Sequence, residues 1–345
     1  MARDLDEALV LLLGRCAGAG DGLPEGRYPV WADDRGRWQT GGPDHWAAGF
    51  ATGAQALAEV CGVPVRGPAL RPVVPDDVDV SSFHAYTGWY AGHLDARAGE
   101  PGRREAARIA ARLEAALLPG GALAVTEHDL RGPAGHAVAY VDAVGPAAAL
   151  LAAYVGPEVG ARHARWTLTT LQRSDGSILQ AARVDPATGK AREVYTATQG
   201  FARTSRWSRA QAWGLLGAAM APRDSVVSQG KALADWWVAH APPRAAPPWD
   251  FDAPAGGPVD TSAGAIAATA FLRLARDMDP PGAAAYRRSG LDLVHALLEH
   301  VDDDGALHDA CYHRPAGRAP ANELIWGDYY LTEALAIATD RVGYS

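Results

Sequence analysis

Two short stretches of the chain carry side chains whose types and spacing could do chemistry. In Trp207-Ser-Arg-Ala-Gln-Ala-Trp213, Arg209 and Trp213 stand four residues apart and so share one face of a helix. A guanidinium fork binds pairs of oxygens, and an indole beside it stacks on the face of a sugar ring. The plainer reading of the same residues is a structural Arg–Trp contact. In Ala139-Tyr-Val-Asp-Ala-Val144, Asp142 is the one charge in an apolar run that reads as helix. A carboxylate so placed is either paired or catalytic, and desolvation would raise its pKa toward general-acid work. Asp260 and Ser262, in Asp260-Thr-Ser-Ala-Gly-Ala-Ile266, open a helical run and read as N-cap residues ahead of catalysts. Asp328, in Ile325-Trp-Gly-Asp-Tyr-Tyr330, reads as a cap or a buried hydrogen-bond acceptor.

Helical periodicity dominates the elements that must hold these groups. It predicts helices near 3–17, 46–60, 83–98, 102–117, 137–155, 157–172, 206–220, 225–241, 261–276, 283–300 and 324–339. No stretch sustains the apolar–polar alternation of a half-buried strand, so no substantial sheet is expected. The helices are of two kinds. Those near 103–117 and 283–300 carry charge on one face, whereas those near 46–60, 137–155, 206–220 and 261–276 are rich in Ala and Gly and poor in charge. The first kind fits an outer layer and the second a buried one. Their alternation predicts an all-α fold, an (α/α)6 barrel of inner and outer helices in a single domain over 1–345. The long segments 18–45, 118–136, 173–205, 242–260 and 301–323 would wall a pocket if they open on one end. Segment 62–80 breaks the alternation, because its prolines forbid a regular helix.

Composition narrows the function classes. Of 345 residues, 48% are hydrophobic and 21% charged, enough for a sizeable core. Acidic residues exceed basic ones by 40 to 32, and no basic stripe occurs, so nucleic acid is not an expected partner. Cys16, Cys61 and Cys311 are too widely spaced for a disulfide framework or a zinc pattern. Acids near the N-terminus and the short run Leu11–Leu13 do not fit a signal peptide, and no apolar run reaches membrane-spanning length. The expectation is a soluble, cytoplasmic protein whose cysteines mark no metal site.

Taken in order, the motifs resemble those of the unsaturated glucuronyl hydrolases, glycoside hydrolase family 88. Trp46-Ala-Ala-Gly-Phe-Ala-Thr-Gly53 resembles the family's Trp-Thr-x-Gly-Phe-x-x-Gly, and Val141-Asp142 its Ile-Asp segment. Asp175-Gly-Ser177 and Thr188-Gly189 resemble its long loop. Gln199-Gly-Phe201 followed by Trp207-Ser-Arg-Ala-Gln-Ala-Trp-Gly214 resembles its Gln-Gly-Tyr…Trp-Ala-Arg-Gly-Gln-Ala-Trp-Gly stretch. Trp249-Asp-Phe-Asp-Ala-Pro254, Asp260-Thr-Ser-Ala-Gly-Ala-Ile-Ala267, Cys311-Tyr312 and Leu324-Ile-Trp-Gly-Asp-Tyr-Tyr330 close the match. The resemblance implies an (α/α)6 barrel that works without a cofactor on sugars bearing a 4,5 double bond beside the ring oxygen. An aspartic acid protonates C4 of this vinyl ether, water adds at C5, and the resulting hemiketal opens and releases the attached group. Asp142 falls on the catalytic aspartate. Trp46, Phe50, Gln199, Arg209 and Trp213 fall on sugar-contacting positions.

The departures from that pattern are as informative. The family's second aspartate, in His-Asp-x-Gly-Phe, meets Phe83-His-Ala-Tyr-Thr-Gly-Trp89, so Tyr86 or Ala85 takes its place beside His84. A site histidine becomes Gln180, an acidic pair becomes Arg203 and Thr204, and a serine becomes Glu323. His84, Tyr86, Gln180 and Glu323 are therefore expected in the changed lining. Glu127 and Asp129, in the segment ahead of Asp142, are candidates for the missing base or else solvated loop charges. Two alternatives to sugar hydrolysis stand beside the main reading. One is related acid–base chemistry on another small molecule, as in secondary metabolism; the other is a non-catalytic binding protein on the same scaffold.

Overall fold

The computed structural model describes residues 4–95, 99–126 and 137–343. Its helices are α1 (Leu5–Ala17), α2 (Ala48–Val60), α3 (His84–Tyr86, continuing as a π-helix over Thr87–His93), α4 (Gly99–Ala115), α5 (Val144–Tyr154), α6 (Pro157–Leu171), α7 (Ser208–Met220), α8 (Val227–His240), α9 (Thr261–Leu274), α10 (Pro280–Leu297) and α11 (Ile325–Ala338). Six of them, α2, α3, α5, α7, α9 and α11, pack each against the next, and α11 returns to α2, closing an inner ring. These are the Ala- and Gly-rich helices, buried on nearly every side. Small residues let their axes approach: a Cβ at Gly49 of α2 would stand 2.5 Å from the carbonyl oxygen of Tyr86 in α3. The amphipathic α1, α4, α6, α8 and α10 form the outer layer. The (α/α)6 expectation holds.

Between α2 and α3, where the alternation asks for one more outer helix, residues 61–83 form none. Side chains hold this extended segment instead. Gln55 accepts the Leu70 N–H at 2.9 Å and donates to the Pro68 carbonyl at 3.0 Å. Thr52 donates to the Leu70 carbonyl at 3.1 Å. From the other side, Arg108 donates to the carbonyl of Val74, and Arg112 to those of Pro75 and Val78. Backbone groups that a helix would satisfy internally are thus satisfied by α2 and α4.

One predicted helix needs correcting. The span 137–155 holds a strand, a turn and a shorter helix. Ala137–Tyr140 is a strand, β4, of a four-stranded antiparallel sheet in the order β3 (Val125–Thr126), β4, β5 (Ala181–Val184) and β6 (Ala191–Tyr195). Val138 to Tyr140 are all buried, so the strand reads as a continuous apolar run, which periodicity cannot tell from a buried helix. Asp142 consequently lies in the turn between β4 and α5 rather than inside a helix. A second sheet has two strands, β1 (Tyr28–Ala32) and β2 (Trp38–Gly41).

Candidate active site

The inner helices all begin at one end of the barrel. Trp46 precedes α2, Tyr86 lies in α3, Asp142 precedes α5, Arg209 is in the first turn of α7, Asp260 caps α9, and Trp326 is in the first turn of α11. These residues meet. Trp46 lies tilted against Trp326, Tyr86 and Tyr312 at ring separations of 4.6, 5.7 and 6.3 Å. Trp213 stands 5.7 Å from Tyr86 and 5.6 Å from Tyr330. Phe50, fully buried, packs below them against Tyr86 and Tyr90 at 4.8 and 4.9 Å.

Asp142 is 9% exposed. The pairing of β4 with β5 runs one step further, where the Val141 N–H donates to the Gln180 carbonyl at 2.9 Å. That register sets Gln180 beside Asp142. Gln180 Nε2 lies 3.4 Å from each oxygen of the Asp142 carboxyl and donates to Gln199 Oε1 at 3.1 Å. Gln199 Nε2 donates in turn to the Tyr312 carbonyl at 3.1 Å. From α3, the Tyr86 hydroxyl donates to the Asp142 main-chain carbonyl at 2.5 Å. Burial pushes the Asp142 carboxyl up to about 6, against the opposing pull of the Arg209 charge and the Gln180 hydrogen bond. Burial, with Asp142 nearby, also drives the Tyr86 phenol well above its usual range. At neutral pH Tyr86 is therefore a donor and not a base.

Arg209 does not pair with Trp213. Helical side chains lean toward the helix N-terminus, and its guanidinium lies over the Trp207 ring at 4.5 Å and near Trp326 at 5.8 Å. The residue is 2% exposed. Nη1 donates to Asp260 Oδ2 and to the Cys311 carbonyl, both at 2.6 Å, and Nη2 to the Tyr312 carbonyl at 2.7 Å. Asp260 Oδ1 accepts from Ser262 Oγ at 2.6 Å, the Cys311 N–H at 3.2 Å and the Ala263 N–H at 3.3 Å. The N-cap reading of Asp260 is right, but the same carboxylate also fixes Arg209. This pair braces the 311–312 segment and leaves a positive charge near Asp142.

Three expected lining residues stand differently. His84 is buried and pushed down to about 4 by desolvation; its Nδ1 accepts the Ser81 N–H at 3.4 Å, so it is neutral at pH 7. Glu323 turns toward the outer layer, where Arg15 of α1 grips it through Nε at 2.7 Å and Nη2 at 2.6 Å. Phe50 forms the floor. Glu127 and Asp129 lie outside the described residues. Asp250 was not singled out from the sequence. It is buried, accepts from the Phe201 N–H at 2.9 Å, Ser205 Oγ at 2.7 Å and the Asp252 N–H at 3.0 Å, and pins the loop carrying Gln199. Its signal was its place in the Trp249-Asp-Phe-Asp-Ala-Pro254 motif, with no role attached to the aspartate itself. The Tyr312 carbonyl, the common acceptor of Arg209 and Gln199, is a main-chain group with no signal in side-chain types.

No protein-family model matches the chain. An unsaturated glucuronyl hydrolase from Bacillus sp. (strain GL1) is 32% identical over 191 residues, 51% of this chain and 50% of that protein. An unsaturated chondroitin disaccharide hydrolase from Streptococcus agalactiae is 28% identical over 193 residues, 52% of this chain and 48% of that protein. The chain thus spans about half the length of the curated relatives it matches. The crystal structure of the Bacillus sp. GL1 protein matches with a TM-score of 0.81 at 21% identity, covering 96% of each chain. At that identity the structural likeness speaks to the fold, a double ring of helices.

Proposed function

We propose that this chain, a divergent relative of the unsaturated glucuronyl hydrolases of glycoside hydrolase family 88, hydrates the vinyl ether of a 4,5-unsaturated uronyl sugar, with Asp142 as the general acid. The observation that carries this reading is the Asp142 carboxyl, buried and pushed up to about 6 beside an aromatic box where the inner helices begin. A general acid works best with a pKa near the operating pH. In its neutral form Asp142 gives its proton to C4. The positive charge at C5 is shared with the ring oxygen. Water adds at C5, and the proton it sheds returns to the Asp142 carboxylate. The hemiketal then opens and frees the attached group, so the acid ends as it began.

The surroundings support an anionic, ring-shaped substrate. Trp46, half-buried at the mouth, offers an indole face for a pyranose, and Gln199 offers an amide beside it, with the buried Trp213 packed behind Tyr86. Arg209 contributes through its charge, with three of its five N–H hydrogens engaged by protein oxygens. The N-terminal ends of the surrounding inner helices add positive potential. With Gln180 and Tyr86 in place of titrating groups, the lining differs from the family's pattern, and we expect chondroitin- and gellan-derived disaccharides to turn over slowly. The experiment is to follow the ultraviolet absorbance of the conjugated double bond across unsaturated uronyl disaccharides that differ in the attached sugar. Turnover of one or more of them supports the reading. Rapid turnover of the chondroitin- or gellan-derived sugars would show that the changed lining is neutral. No turnover of any would remove the reading.

A further inference from the structure

Gln180 touches the general acid through an amide whose orientation is fixed on every side. An amide has one acceptor oxygen and two donor hydrogens. The Ala197 N–H takes the oxygen, Oε1, at 3.1 Å. A main-chain N–H can only donate, so this contact settles which way the amide points. One hydrogen of Nε2 goes to Gln199 Oε1 at 3.1 Å, and Gln199 is itself anchored on the Tyr312 carbonyl. The other faces the Asp142 carboxyl, 3.4 Å from either oxygen. The side chain is 2% exposed, so it acts on Asp142 rather than on bulk solvent.

Resting on the reading of Asp142 as the acid, we propose that Gln180 is a positioning residue: its locked, donor-only face orients the Asp142 carboxyl and cannot accept the acidic proton, which stays available to the substrate. An imidazole in that place would offer a nitrogen able to take the proton and to titrate, and the amide does neither. Among the described residues, the groups bearing on Asp142 are the Arg209 guanidinium from α7 and the Tyr86 phenol from α3, with Gln180 and Gln199 neutral. Tyr86 keeps its proton through the neutral range. Among the described residues, the site therefore answers to pH through Asp142, with one limb: activity falls as pH rises through the Asp142 midpoint.

The test reads Asp142 directly. In protein labelled with 13C-aspartate, NMR titration gives the Asp142 midpoint without turnover, and Asp142→Asn identifies its resonance. Gln180→Met keeps the length and removes the donor. Losing a hydrogen bond to the charged form should raise the midpoint by about one pH unit. The alkaline limb of kcat should move up with it, and kcat should fall on the order of tenfold with KM nearly unchanged. Gln180→His restores a titrating ring and should add a second limb to the profile while also displacing the Asp142 midpoint. If the midpoint stays at its wild-type value in both variants, each melting as a folded protein, Gln180 is only lining and the proposal fails. If the midpoint moves but wild-type protein leaves every unsaturated uronyl disaccharide intact, the positioning role stands and the reading of the reaction fails.

Discussion

Ionised, Asp142 burdens the fold. A carboxyl raised from its ordinary value to about 6 binds its proton more tightly in the folded chain than in the unfolded one. Stability from this group is therefore complete below about pH 4 and is lost as pH rises through about 6. Asp142→Asn removes the charge and keeps the shape. It should stabilise the protein by about 2–3 kcal/mol at pH 7.5 and by almost nothing near pH 4. Urea denaturation at the two pH values checks this, and an equal change at both would contradict a raised carboxyl. Arg209 makes the opposite case. Lysine keeps the charge but cannot reach Asp260 and the carbonyls of Cys311 and Tyr312 together. Arg209→Lys should cost roughly 2–4 kcal/mol of stability and raise KM, because the Tyr312 carbonyl also anchors Gln199. Wild-type stability and KM in that variant would show that the brace is idle. The sequence pointed to Arg209 but not to its partners: Asp260 is 51 residues away and Cys311 is 102.

At the scale of elements, the inner and outer helices were legible because burial selects composition. A helix covered all round tolerates few charges, and one face of an outer helix needs them. Legibility failed where an element is short and apolar on both faces, as in Ala137–Tyr140. Its pairing with β3 and with the distant strand Ala181–Val184 distinguishes it from helix, and pairing across forty residues leaves no local trace. The proline-rich break at 62–80 was legible, but its anchoring was not. Gln55→Leu would leave the Leu70 N–H and the Pro68 carbonyl without their side-chain partner. The expected loss is about 2–4 kcal/mol, set by stranding buried backbone groups. Lys231→Ala, which breaks an exposed ion pair with Asp235, should change stability by less than about 1 kcal/mol. Similar losses in the two variants would mean that the segment does not depend on α2.

Across the whole molecule, the ring brings together side chains from both ends of the chain. Arg15 and Glu323, 308 residues apart, join the first outer helix to the mouth of the last inner one. Glu323, expected in the lining, has its carboxylate held by Arg15; sequence spacing holds no record of that pairing. The same closure gathers Trp46, Tyr86, Asp142, Gln180, Arg209 and Trp213 into one site, so the motifs were legible as a set before their geometry was. The central claim is that this set presents one acid to a vinyl ether. It is tested most directly by incubating wild-type protein and Asp142→Asn with a panel of unsaturated uronyl disaccharides and following the absorbance of the conjugated bond against pH. The account predicts that absorbance decays with the wild type, that the rate falls as pH rises through about 6, and that Asp142→Asn is slower by at least about 10²-fold. Undiminished decay in Asp142→Asn, or a persistent chromophore with the wild type on every sugar, would contradict it.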